Sequence, residues 1–93
     1  MGTYQIGEAL NIWLERSRWK ARVMELRIRE DWESIMGKTI ARHTRQLYLK
    51  DKTLIIDAGH AVLRQELSSG KSQIIERINT HFQQVLVEEI RLR

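Results

Sequence analysis

Three groups of residues in this chain have types and spacings that bear on chemistry. Gly70-Lys71-Ser72 reads like the end of a phosphate-binding loop. The full Gly-x-x-x-x-Gly-Lys-Ser cradle needs its first glycine at position 65, and Gln65 stands there. A helix break carrying an exposed lysine is the better account. His43, His60 and His81 share no i, i+4 spacing, and Asp57 with His60 is the one close imidazole–carboxylate pair. A metal site needs three or four converging ligands, and acid–base work needs a poised pair with an orienting group. Capping or solvated histidines are therefore expected, with no metal and no cofactor. No serine or cysteine nucleophile motif occurs, so no catalytic residue is assigned and the chain is not read as an enzyme. What remains is charge.

Sixteen Lys and Arg stand against twelve Asp and Glu, a formal +4, with a pI near 9.9. That balance suits a polyanionic partner without requiring one. Two basic surfaces are candidates. The first is Arg16 to Arg29, where Arg16, Arg18, Lys20, Arg22, Arg27 and Arg29 face Glu25 alone before Glu30-Asp31-Trp32-Glu33 reverses the sign. The second gathers Lys38, Arg42, Arg45, Lys50, Lys52, Arg64 and Lys71. Either is equally a solvated face when taken alone. Two aromatics lie among the cations. Trp19 is off both neighbouring periodic faces, placed to stack on a base or to plug a gap between helices. Tyr48 points away from Leu47 and Leu49, to present its ring to a base or to cover the far side of a sheet.

The elements that must position these residues follow from apolar spacing. Thr3 suits an N-cap for a first helix with Ile6, Ala9 or Leu10, Trp13 and Leu14 on one face. Ser17 to Arg22 interrupts that pattern and reads as a connection. A second helix follows through Met24, Ile28, Trp32, Ile35 and Met36, and Gly37 ends it or admits a close neighbour. Ile40, Ala41 and Thr44 fit one or two further turns. Leu47-Tyr48-Leu49 begins a strand, and Lys50-Asp51-Lys52 is a tight turn into Thr53–Asp57, giving an antiparallel hairpin. The turn is a weak one, because glycine would suit a positive φ better than Lys52. Ala58-Gly59 is the turn into a helical stripe of Leu63, Leu67, Ile74, Ile78 and Phe82. Ser68-Ser69-Gly70 should break that stripe into two helices. Leu86 to Arg93 alternates like a final strand.

The expectation is a single α+β domain over residues 1–93, ordered helix, helix, strand, strand, helix, helix, strand, with a three-stranded sheet and helices on one face. Its last five elements follow the order of a type II KH domain. Ser68–Ser72 stands where that fold clamps nucleic acid with Gly-x-x-Gly, and only Gly70 is present. There is no cysteine, no apolar run long enough for a membrane span, and no signal-peptide plan at the N-terminus. A cytoplasmic protein without membrane or small-molecule partners is expected.

Trp32-x-x-Ile35-x-Gly37-x-x-Ile40-Ala41-x-His43-Thr44, with Leu54-x-Ile56-Asp57, Gln65-Glu66-Leu67 and Ile90-x-Leu92, resembles the DciA-like family of bacteria. The resemblance covers roughly residues 5–93. It implies a KH-like fold, affinity for nucleic acid (DNA before RNA) and, through a member that assists it, a link to loading of the replicative helicase. Ala58-Gly59 replaces the family's small hydroxyl residues at the strand-to-helix turn, and Val62-Leu63 its frequent tryptophan. Fold and nucleic-acid binding therefore follow more directly than helicase loading. The other reading is a protein-interaction or self-associating module that uses a free sheet edge.

Overall fold

The computed structural model describes the backbone from Ile6 to Arg93 and side-chain environments from Arg16 onward. Thr3 and the side chains of the stripe through Leu14 lie outside the described residues. Helix α1 spans Ile6–Met36. The connection expected at Ser17–Arg22 does not exist, and the two predicted N-terminal helices are one. The inward positions at that level are Ser17 and Ala21, which with Lys20 and Met24 line a cleft against Asp51, Lys52 and Gln84–Leu86. Ser17 is exposed and Ala21 half-buried at this level, so the apolar stripe fades while the helix continues.

Gly37 ends α1 with φ +89°, and its N–H still bonds the Glu33 carbonyl at 2.8 Å. An added Cβ there would meet nothing within 4 Å. The glycine is needed for its left-handed backbone, not for a close neighbour. Helix α2, Lys38–His43, follows at once. Trp32 Nε1 donates to Thr44 Oγ1 at 3.0 Å, and that hydroxyl donates to the Ile40 carbonyl at 2.7 Å. The Trp32-to-Thr44 block thus locks the corner from α1 through α2 into the sheet.

Strands β1 (Thr44–Lys50) and β2 (Thr53–Ala58) form the expected antiparallel hairpin, with Leu47 opposite Ile56 and Tyr48 opposite Ile55. Asp51 and Lys52 both take positive φ, 48° and 63°, as the weak turn implied. Helices α3 (Ala61–Ser69) and α4 (Lys71–Phe82) break at Gly70 as expected. Gly70 has φ −122°, so its role is the break itself and not a left-handed turn.

Strand β3 is Glu89–Leu92, shorter than the expected Leu86–Arg93, and it pairs with β2 in parallel. Asn79 causes the shortening. Its Oδ1 accepts from the N–H groups of Leu86 and Val87, each at 2.9 Å, and its Nδ2 donates to the Val87 carbonyl at 2.9 Å. Two consecutive buried residues, Leu86 and Val87, are held there, which an alternating strand could not do.

Among the described residues the result is α+β: four helices and a three-stranded mixed sheet in the order β1-β2-β3. Leu47, Leu49, Leu54, Ile56 and Ile90 face the core with Ile28, Trp32, Leu63, Leu67, Ile74 and Ile78. Full burial of Ile28, Leu54, Ile56 or Ile78 contributes roughly 1.5–3 kcal/mol each. Among the described residues no helix is long and apolar enough to cross a membrane.

Candidate nucleic-acid interface

The first feature of the site is a bulge. Thr44 pairs with Ala58 and Gln46 with Asp57, so Arg45 is an extra residue against one step of β2. A bulge bends its strand and re-aims the inserted side chain. Arg45 Nε lies 3.8 Å from where a Cβ on Gly59 would sit. That same Cβ would be 3.0 Å from the His43 carbonyl, which accepts the Gly59 N–H at 2.9 Å. Gly59 therefore suits a close approach: the α2–β1 junction is stitched directly to the turn leaving β2.

That stitch gathers basic groups. His43 and His60 stack edge to face with ring centroids 5.1 Å apart. His60 caps α3, its Nδ1 accepting from the Leu63 N–H at 3.3 Å, which fits the capping role expected for a histidine. One turn on, Arg64 is exposed, and its N–H bonds the His60 carbonyl at 3.1 Å. Arg42 is exposed in the last turn of α2. Arg93 joins the same end, its carbonyl accepting from Ala58 N–H at 3.2 Å. Sequence reasoning missed Arg93 and the imidazole pair, because only long-range backbone bonds bring them here.

Lys38 and Lys71 extend this end into a band. Met36, Ile40, Glu66, Leu67, Gly70, Gln73, Ile74 and Arg77 line a shallow groove between the α1–α2 corner and the α3–α4 pair. Lys38 begins α2 and Lys71 begins α4 on its two sides, both exposed. Helix α2 links Lys38 to Arg42, and α3 leads from Arg64 to Gly70-Lys71. The start of α4 has no side-chain cap and no acid in its first turn, which leaves its positive end unopposed. Glu66 is the acidic member of the groove. Arg77 is committed elsewhere, donating to the Ile35 carbonyl near the end of α1 at 3.3 Å.

Lys50 and Lys52 do not join the band. They sit at the hairpin tip, about 17 Å along β1 from Arg45, and Lys52 pairs with Glu88 at 3.6 Å. Tyr48 is on the sheet face away from the helices, half-buried beside Ile55, with the Arg29 guanidinium 5.9 Å from its ring. Trp19 plugs no gap, since α1 is continuous there, and it is 72% exposed.

The family model described as "Dna[CI] antecedent, DciA" matches residues 5–92. The UPF0232 protein of Corynebacterium glutamicum (strain R) is 28% identical over 91 residues, covering 98% of this chain and 51% of that protein. The chain thus spans about half the length of that relative. No solved structure matches. The matched span contains the whole Trp32-to-Thr44 corner, the bulged hairpin and the α3–α4 pair, and the chain belongs to the DciA family.

Proposed function

We propose that this chain is a nucleic-acid-binding accessory module that grips the phosphate backbone of DNA with little sequence preference, in the service of replicative helicase loading. It acts by binding and not by catalysis. The reading is supported most by the Arg45 bulge and the His43–Gly59 bond, which draw Arg42, Arg45, Arg64 and two imidazoles onto one end of the sheet. Strand, strand, helix, helix, strand is the order of a type II KH core, and Gly70 takes the place of its clamping loop. With one glycine at an ordinary φ, the loop offers less backbone to a phosphate than Gly-x-x-Gly does. Side chains compensate: Lys38 and Lys71 border the groove beside it. Phosphate contacts carry no sequence information, so the band supplies affinity and register without base choice.

Charge reversal tests this. Arg45→Glu with Arg64→Glu should weaken binding to single-stranded DNA at low salt by roughly tenfold or more, while Lys50→Glu, at the far end of β1, should change it little. Equal losses from both variants would remove the band from the account, and a wild-type protein that binds no DNA at low salt would end it.

A further inference from the structure

Helix α1 carries a second apolar stripe that the fold does not use. Trp19, Val23 and Leu26, spaced four and three, lie on the side of the helix opposite Ile28 and Trp32. Trp19 is 72% and Leu26 45% exposed, with Val23 half-buried between them. At 1.5 Å per residue the stripe runs about 10 Å, two helical turns. Cations rim it: helical geometry puts Arg16 and Arg27 along one side and Arg22 along the other. All three are exposed, and among the described residues none is ion-paired.

We propose that this stripe is a docking surface for an amphipathic helix of a partner protein whose apolar face is flanked by Asp and Glu. Three observations select that occupant. The four–three spacing is the seam by which one helix seats the knobs of another. From position 16 to 29 the exposed charges are all basic, Glu25 being buried facing Arg29. Exposed Glu30 stands beyond Leu26 at the stripe's C-terminal end, and the complementary partner is therefore acidic along Trp19 to Leu26. A second copy of this chain is disfavoured: parallel pairing through the stripe would set Arg16, Arg22 and Arg27 against the same three residues, and antiparallel pairing would set Arg16 near Arg29 and Arg27 near Arg18. A nucleic-acid strand would stack on Trp19 but leave Val23 and Leu26 uncovered. Tryptophan and arginine are also the residue types that dominate interface energetics, and here Trp19 heads the stripe with arginines on both of its sides. The surface stands apart from the α2–α3 band, so this inference does not rest on the nucleic-acid reading.

The test uses the full chain and two fluorescein-labelled synthetic helices of about three heptads with the same leucine seam. One is flanked by glutamate and the other by lysine, and binding is read by anisotropy. The glutamate helix should bind and the lysine helix should not. Trp19→Ala with Leu26→Ser should weaken the glutamate helix at least tenfold while leaving single-stranded DNA affinity and circular dichroism unchanged. Arg22→Glu with Arg27→Glu keeps the stripe and should exchange preference toward the lysine helix. Absence of glutamate-helix binding, equal binding of the two helices, a matching loss of DNA affinity in the Trp19/Leu26 variant, or a dimer that this variant dissociates would each overturn the proposal.

Discussion

Arg29 holds the free edge of the sheet to α1, and removing it should be costly for a side chain this exposed. Its Nε and Nη2 both donate to the Leu47 carbonyl, at 3.0 and 2.9 Å, and Nη2 also reaches Glu25 Oε1 at 2.9 Å. Glu25 is the buried member, at 6% exposure, whereas the Arg29 side chain is 39% exposed. Arg29→Ala leaves a buried carboxylate without its counter-charge. The loss for a fully buried pair is about 3–5 kcal/mol. Water reaching the vacated space lowers this to roughly 2–3 kcal/mol, a fall in Tm of about 10–20 °C for a domain of this size. Glu25→Leu with Arg29→Met removes both charges and should recover most of that loss. Urea unfolding followed by far-UV circular dichroism measures all three proteins. An Arg29→Ala loss below about 0.5 kcal/mol, or a double variant as unstable as the single, would refute the reasoning. The same arginine occupies the Leu47 carbonyl, one of the edge groups of β1 that an added strand would use.

Two further outcomes follow from the backbone. Lys52→Gly should stabilise the domain by about 0.5 kcal/mol, since relief of φ 63° outweighs the lost exposed ion pair to Glu88; a destabilised variant in thermal melts would count against the turn geometry. Asn79→Ala leaves the Leu86 and Val87 N–H groups without acceptors and should cost about 3 kcal/mol, with faster hydrogen exchange at Glu89 and Arg93, whose N–H groups bond Lys52 and Ile56; unchanged exchange there would show that β3 does not depend on Asn79.

Much of the fold was legible because it is local. Alternation in Thr53–Asp57, the four–three stripe from Leu63 to Phe82 and the weak helix formers Ser68-Ser69-Gly70 each carry their own structure. The continuity of α1 was hidden because Ser17 and Ala21 interrupt its apolar stripe where they line an open cleft beside the hairpin turn. The late start of the final strand was hidden because a single Asn79 side chain intercepts the backbone bonds of Leu86 and Val87. The candidate site was half visible. Its cations could be named from sequence, but Lys50 and Lys52 could be separated from Arg45 and Arg64 only through strand length and register. The Arg45 bulge is a property of two paired strands and has no signature in either one.

The central claim is that five cations, Lys38, Arg42, Arg45, Arg64 and Lys71, act together on a phosphate backbone. Titration of the wild-type chain with a short single-stranded DNA across a salt series tests it most directly. If all five meet phosphates, log K should fall against log salt with a slope of about −3.5, and Arg64→Glu should bring the slope closer to −2.8. A slope near zero, or one that Arg64→Glu leaves untouched, would contradict it.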